Sequence, residues 1–305
     1  MKKLLLHIGL HKTASTFLQE LIFKKICKDY NLKSNLNDQK LSNEINDKIA
    51  LFRNNFGCLK SLSMIGIDYG VISNESLCGP RSDPAYFQFF RDLNYQLFGE
   101  KAHVLIVIRK PSDFLRSIYL QSIHKGEIIK IEDFFLKNKD YKNIDKEKLR
   151  KKSTWLLEDF SYDHLINLYK QKFKNVTICK FEEVFDLNFL NKILELDDTY
   201  ISNLKQKNSK TVLNKSFSGS AVKLSFFLEK NLNKFGMSLL KKDSISNYTS
   251  HNKFIKLIKN NITYKKIISN IYDKIIPYKQ YDIDYSKLNF FDIDKADKDY
   301  KNLSC

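Results

Sequence analysis

Short apolar runs alternate along most of the chain with segments whose apolar residues recur at helical spacing. Four runs have the length of buried strands, the second of them ending in a polar turn: 4–8, 71–76, 103–108 and 176–181. Helical spacing follows at 17–26, 41–52, 84–98, 112–119, 155–173 and 189–194. This alternation predicts right-handed βαβ units and a central parallel sheet flanked by helices.

The strand pattern fades beyond about residue 208, where 220–240 and 251–276 have helical spacing. We therefore predict an α/β core over 1–207 and a helical C-terminal extension over 208–305 that packs on the core. The polar, Asn- and Lys-rich segment at about 31–70 is interpreted as an insertion near the mouth of a site, where an acceptor molecule would bind.

The charge balance favours an anionic partner, because 52 Lys and Arg stand against 35 Asp and Glu and give a formal net charge of +17. The lysines are dispersed along predicted helix faces and do not form basic blocks interleaved with aromatic residues. A nucleic-acid partner is therefore not expected. A nucleotide or an acidic glycan fits the charge, and peripheral contact with a membrane surface stays open.

The cysteines and the N-terminus bear on the compartment. The five cysteines form no CxxC pair or metal-ligand spacing, and an odd count fits a reducing compartment. Met1-Lys2-Lys3-Leu4-Leu5-Leu6 resembles the start of a signal peptide, but His7 and His11-Lys12 interrupt it and no small-residue cleavage site follows. No other run has the length of a membrane span. We expect a cytoplasmic protein without a transmembrane segment.

The loop after the first strand carries the first candidate site. The apolar run ends at Gly9, and His11-Lys12-Thr13-Ala14-Ser15-Thr16 leads into helical spacing at Phe17. Free N–H groups and the dipole at a helix start attract anions, and Lys12 with the neighbouring hydroxyls adds a charge and further donors. The loop therefore predicts a phosphate site. Lys12 precedes the small residues, so the loop departs from the G-x-x-x-x-G-K-[ST] motif of triphosphate-binding proteins.

A second candidate lies at the end of the apolar run 103–108. Arg109 follows that run directly, and Ser117 comes eight residues later, about two turns into the next predicted helix. Ligands bind at the carboxyl ends of strands in doubly wound sheets. Arg109 and Ser117 could therefore hold a second phosphate through charge-assisted hydrogen bonds. The alternative is that Arg109 pairs with a carboxylate such as Asp113.

These two motifs resemble those of sulfotransferases that use 3′-phosphoadenosine 5′-phosphosulfate. The family's first motif is a PK-S-G-T-T-like loop, and its second is R-x-P-x-[DE]-x-x-x-S, which Arg109-Lys110-Pro111-Ser112-Asp113 and Ser117 match. The HKT variant is similar to the bacterial, glycan-directed members. The resemblance is strong over 4–19 and 104–122, and weaker at Lys180-Phe181-Glu182-Glu183, which is similar to a Y-E-D-like turn.

For the first loop, the resemblance implies contacts with the 5′-phosphosulfate. Lys12 would contact the bridging oxygen and stabilise charge on the leaving phosphate. The amides of Ala14, Ser15 and Thr16, with the hydroxyls of Ser15 and Thr16 and neighbouring Thr13, would cradle the 5′-phosphate. No metal ion is implied, because Lys12 and the helix N-terminus would stabilise the charge.

For the remaining positions, the resemblance implies that Arg109 and Ser117 bind the 3′-phosphate, which distinguishes this donor from ATP. Phe17 stands where the family frequently has a tryptophan, and it is included in the predicted donor site. Ala14 stands where the family has a glycine, so we expect its φ to be negative. The implied fold is a P-loop-like parallel sheet, and the product would be adenosine 3′,5′-bisphosphate.

Sulfuryl transfer also needs a base for the acceptor's proton. Ser73-Asn74-Glu75 resembles the S-x-E turn that supplies the base in glycan sulfotransferases, and a desolvated carboxylate could have a raised pKa. The alternative base is a histidine, His11 in the first loop or His124 after the second motif. His7 and His103 are interpreted as core residues.

Taken together, the sequence predicts an enzyme that moves a sulfuryl group from 3′-phosphoadenosine 5′-phosphosulfate to a hydroxyl or amine. By analogy with the family, the acceptor is a carbohydrate or cell-surface glycan. One alternative is a P-loop-type kinase, which would need a Gly-Lys pair and an acidic Mg²⁺ ligand. The other is a non-enzymatic basic protein that binds anions or nucleic acid.

Overall fold

Four parallel strands form the main sheet. They are β1 (Leu4–His7), β2 (Gly70–Ser73), β3 (His103–Ile108) and β6 (Asn175–Lys180), in the order β2-β1-β3-β6. Leu5 pairs with Val71 on one side and with His103 on the other. Two shorter strands, β4 (Phe135–Leu136) and β5 (Trp155–Leu156), form a two-stranded sheet. The predicted α/β class with a parallel sheet between helices is confirmed.

This computed structural model describes residues 3–54, 58–60, 62–67, 69–124, 127–143, 154–208, 222–223, 225–227 and 279–303. The helix predicted at 251–276 lies outside these ranges. Of the helix predicted at 220–240, only 222–223 and 225–227 are described, and they are helical.

The first helix, α1, follows β1 and consists of three consecutive segments. They are α-helical Ser15–Phe17, π-helical Leu18–Phe23 and α-helical Lys24–Asp29. The other described α-helices are α2 (Gln39–Asn54), α3 (Phe87–Phe98), α4 (Pro111–His124), α5 (Ile131–Phe134), α6 (Asn138–Asn143), α7 (Tyr162–Lys170), α8 (Asn188–Leu194), α9 (Asp198–Asn208) and α10 (Ile293–Asn302). Short 3₁₀ helices span Glu75–Cys78, Pro80–Ser82, Pro84–Tyr86, Phe181–Asp186 and Tyr285–Lys287.

Strands β1, β2 and β3 of the main sheet are buried, as their largely apolar sequences predict, whereas β6 at the edge is only partly buried. Every residue of β1 is buried, and Leu105 and Val107 of β3 have no exposed surface. On one face Leu5, Leu105 and Val107 pack with Ile22 of α1 and Leu190 of α8. Fully burying such a side chain contributes about 1.5–3 kcal/mol, so this layer fixes α1 and α8 against the sheet.

The helix predicted over 155–173 is wrong in its first third. Trp155 and Leu156 form β5, and α7 begins only at Tyr162. Ser161 is the N-cap of α7, and its hydroxyl accepts a hydrogen bond from the amide of His164 at 3.3 Å. A short run of consecutive apolar residues fits a buried strand as well as a helix, so periodicity could not separate the two here. The cap at Ser161 marks the true start.

The chain divides into two compact units. The first comprises 1–114, 156–213 and 292–305 and contains the main sheet, and the second comprises 115–155 and 214–291. The predicted boundary near residue 208 stays a prediction, because 209–221 lie outside the described residues.

Helix α10 belongs to the first unit and packs at the carboxyl ends of β3 and β6. Asp297 accepts hydrogen bonds from the amide and the hydroxyl of Ser112 at 2.9 and 2.7 Å, and its carboxylate lies 3.2 Å from Nζ of Lys110. Tyr300 donates to Glu182 after β6. The hydrophobic pattern did not predict α10, because its sequence is mostly charged and only Tyr300 is buried.

Candidate functional site at the switch point of the sheet

The carboxyl ends of β1 and β3 form the crevice where a parallel α/β sheet binds ligands. The chain passes from β1 to β2 on one side and later returns to β3 on the other side of β1. The loops after β1 and β3 therefore leave in opposite directions and open a crevice between them. Both candidate motifs follow these two strands, as the sequence predicted.

The loop after β1 bends through left-handed backbone conformations. Gly9, Lys12 and Ala14 have φ of 46°, 67° and 62°. The expected negative φ at Ala14 is therefore wrong, because the turn into α1 needs a left-handed residue at this N-cap. Non-glycine residues in this region cost about 1–2 kcal/mol each. Left-handed residues alternating with others turn successive N–H groups to one side, which makes an anion-binding concavity.

Ala14→Gly tests the left-handed turn. We expect the free energy of unfolding to stay the same or rise by about 1 kcal/mol, because glycine adopts positive φ without strain. The matched control is Ala50→Gly on the exposed face of α2, which should cost about 1 kcal/mol. Urea denaturation of both variants measures the difference, and equal losses would contradict the assignment of strain to Ala14.

The hydroxyls of the loop hold the loop itself. Thr13 and Ser15 both donate to the carbonyl of Leu10, at 2.6 and 3.1 Å, and both side chains are buried. Thr16 is exposed, and Phe17 is buried in the core beneath the loop. An anion at this place would therefore be bound by the Lys12 side chain and by the first backbone amides of α1. Ala14, at the N-cap, has no side-chain oxygen that could accept from those amides.

Arg109 brings the second motif to the first. Its Nη1 donates to the carbonyl of Lys12 at 3.2 Å, and its guanidinium lies 4.6 Å above the ring of Phe181. The hydroxyl of Tyr162 donates to the carbonyl of Arg109 at 2.7 Å, and burial raises the pKa of Tyr162, which keeps it protonated as a donor. The loops that follow β1 and β3, each with a cationic residue, therefore meet at the switch point.

Ser117 is buried on α4, in the second compact unit, whereas Arg109 belongs to the first. Their joint contact with a 3′-phosphate stays a prediction.

An aromatic cluster, which the sequence interpretation missed, adjoins Arg109. Phe185 lies 5.0 Å from Phe17 and 5.7 Å from Phe181, measured between ring centroids, and it is 47% exposed. Phe181 and Phe185 lie on the 3₁₀ helix Phe181–Asp186, directly after β6. An exposed ring beside an anion site can stack on a nucleobase. The available signal was the pair of phenylalanines four residues apart directly after a strand.

Two of the three candidate bases, His11 and Glu75, lie together. Nε2 of His11 is 3.9 Å from Oε2 of Glu75, which opens the 3₁₀ helix after β2. A Cβ on Gly9 would lie 3.3 Å from Cα of Glu75 and 3.3 Å from Oγ of Ser15, so the glycine lets these segments approach. His11 and Glu75 are thus placed as a pair beside the loop. For His124, only the helical backbone is described.

The two histidines on strands contact hydroxyls of neighbouring strands. His7 is fully buried, with Nδ1 2.7 Å from Oγ of Ser73, and His103 lies 2.8 Å from the hydroxyl of Thr177. Burial lowers the pKa of His7 to about 3. His7 is therefore neutral near pH 7 and is a core residue.

In the described part of the chain, no group of three or more His, Cys, Asp or Glu side chains is placed to hold a metal ion. None of the described helices is long and apolar enough to cross a membrane.

The fold and the site define a parallel α/β protein with a basic, helix-capped crevice at its switch point. Comparison with family models, with curated proteins and with solved structures found no match to the chain. A functional assignment therefore depends on the two motifs and on the geometry that they adopt.

Proposed function

We propose that the chain is a sulfotransferase that moves a sulfuryl group from 3′-phosphoadenosine 5′-phosphosulfate to a hydroxyl or amine. The proposed acceptor is a carbohydrate or cell-surface glycan. We also propose a P-loop-like nucleotide-binding core and a location in the cytoplasm. One observation carries the proposal: Nη1 of Arg109 lies 3.2 Å from the carbonyl of Lys12, so two cationic loops share one crevice.

Two separate cationic positions suit a donor that has phosphates at both ends of its ribose. Lys12 and the first amides of α1 would hold the 5′ side, where the left-handed Lys12 and Ala14 turn the backbone donors inward. Arg109 would hold the 3′-phosphate, with Ser117 as its proposed partner. Phe185, which packs on the buried ring of Phe17, offers an exposed aromatic surface for the base.

Adenosine 3′,5′-bisphosphate is the probe that tests this proposal. We expect it to stabilise the full chain by about 2–3 kcal/mol at a hundredfold excess over its Kd, whereas adenosine 5′-monophosphate at the same concentration should do much less. Calorimetry and thermal unfolding measure the difference in stabilisation between the two nucleotides. Arg109→Met should abolish this difference, and the stabilisation by adenosine 5′-monophosphate should stay unchanged.

The alternatives predict different responses. A kinase would respond to Mg²⁺–ATP as strongly as to the bisphosphate, and a general anion binder would respond to inorganic phosphate or to oligonucleotides. Either result would overturn the sulfotransferase proposal.

A further inference from the structure

The turn that precedes α3 is strained beside the His11–Glu75 pair. Arg81 and Ser82 are consecutive non-glycine residues with φ of 56° and 54°. Such residues persist where the surrounding structure dictates them, and they concentrate at functional sites. Asp83 anchors the turn, because its carboxylate accepts from the amides of Ala85 and Leu156 at 3.1 and 3.3 Å. The turn therefore places Ser82 rigidly.

Ser82 holds His11 at two points. Its side chain is fully buried, and its Oγ accepts a hydrogen bond from the backbone amide of His11 at 2.8 Å. The same Oγ lies 3.0 Å from Nδ1 of the His11 ring. A contact with the backbone and with the ring of one residue fixes both the position and the orientation of the imidazole.

The surroundings favour one tautomer of His11. With one lone pair of Oγ used by the His11 amide, the Ser82 hydroxyl can donate its own proton to Nδ1. Burial raises the pKa of the neighbouring Cys78 thiol to about 12, although its hydrogen bond with Ser82 lowers that pKa, so the thiol stays neutral and puts no charge beside Ser82. The opposite nitrogen, Nε2, faces the Glu75 carboxylate at 3.9 Å, and an N–H there is favoured over a lone pair.

We propose that Ser82 is a positioning residue that holds His11 as the Nε2–H tautomer with this proton directed at Glu75. Its catalytic consequence rests on the proposed function and names the base. Glu75 takes the proton of the acceptor hydroxyl as the acceptor's oxygen–sulfur bond forms. The bond from sulfur to the donor's phosphate oxygen breaks, and its electron pair leaves with adenosine 3′,5′-bisphosphate. The Nε2–H of His11 points at the Glu75 carboxylate from 3.9 Å, beyond hydrogen-bond distance, and stabilises the charged carboxylate electrostatically before this transfer.

The tautomer can be measured without any activity. Long-range ¹H–¹⁵N NMR of the full chain, labelled at histidine and held where the imidazole is neutral, distinguishes the two forms, and His11→Gln assigns the signals. We expect the Nε2–H form in the wild type and in Glu75→Gln, because Ser82 still holds Nδ1. Adding Ser82→Gly to Glu75→Gln should produce both tautomers.

Ser82→Gly suits this test because glycine tolerates the left-handed φ of 54° and removes only the hydroxymethyl group. Arg81→Gly is the matched control, since it relaxes the neighbouring left-handed residue while keeping the Ser82 hydroxyl, and it should retain the single tautomer. An Nδ1–H form in the wild type would overturn the proposal. The proposal would also be overturned if the double variant Ser82→Gly, Glu75→Gln showed the same single tautomer as Glu75→Gln alone.

A transfer assay then separates the two proposals. With labelled 3′-phosphoadenosine 5′-phosphosulfate and a panel of oligosaccharides, Ser82→Gly should lower kcat while the affinity for adenosine 3′,5′-bisphosphate stays unchanged. Absence of bisphosphate binding in the wild type contradicts the proposed function, whereas full kcat in Ser82→Gly contradicts only the positioning role.

Discussion

Under the proposed function, replacing Lys12 by alanine is expected to lower the rate of sulfuryl transfer by about 100- to 1000-fold, the usual cost of removing one donor that stabilises transition-state charge. Charge builds on the leaving phosphate only as the sulfuryl group departs, so the loss should appear in kcat. Binding of adenosine 3′,5′-bisphosphate should weaken less, because the amides of α1 and Arg109 remain. Alanine keeps the Cβ, so the backbone strain at this position is unchanged.

The measurement is release of adenosine 3′,5′-bisphosphate from the donor in the presence of the oligosaccharide panel, together with calorimetry of the bisphosphate. Lys28→Ala is the control. Lys28 is an exposed lysine in the last segment of α1, and replacing it removes the same charge from the protein. If Lys12→Ala turns over at the rate of Lys28→Ala, Lys12 has no part in the chemistry.

Acidification is expected to destabilise the fold through His7. The pKa of this buried ring is lowered to about 3 from its ordinary value of 6.5. Between these values the unfolded chain binds the proton and the folded chain does not, so falling pH favours unfolding by about 1.4 kcal/mol per pH unit. From about pH 6.5 to about pH 4.5 the His7 contribution to the free energy of unfolding should fall by about 2–3 kcal/mol.

His7→Asn isolates this contribution. The amide of asparagine can occupy the Nδ1 position facing Ser73, and it does not titrate in this range. Urea denaturation gives the free energy of unfolding at each pH. Its dependence on pH should be shallower in His7→Asn than in the wild type, by the slope that corresponds to about one bound proton. His164→Asn, at an exposed position of α7, should keep the wild-type slope. An unchanged slope in His7→Asn would contradict the burial argument.

Much of the fold was predictable because it follows from local patterns. The four main strands overlap the four short runs predicted as strands, and the helix predicted at 17–26 lies within α1. The loops after β1 and β3 were predictable as candidate sites for the same reason, since chain order alone places them at strand ends. The error at Trp155 arose where the local pattern was ambiguous, and the error at Ala14 arose where the turn overrode the residue's preference.

Other parts of the site depend on residues far apart in the chain. Ser82 lies 71 positions from His11, and Asp297 lies 185 positions from Ser112. Neither pair has a spacing or a periodicity that a single sequence displays. The contact between the exposed ring of Phe185 and the buried ring of Phe17 likewise joins different elements.

By itself, the sequence determined the strands of the main sheet, the parallel α/β class and two basic loops at strand ends, because hydrophobic spacing and helix-start chemistry act over a few residues. The tertiary structure decided the strand order, the contact of Arg109 with the Lys12 carbonyl, and the tie between Ser82 and His11. These depend on how packed elements meet, and packing is set by the whole core rather than by any one segment.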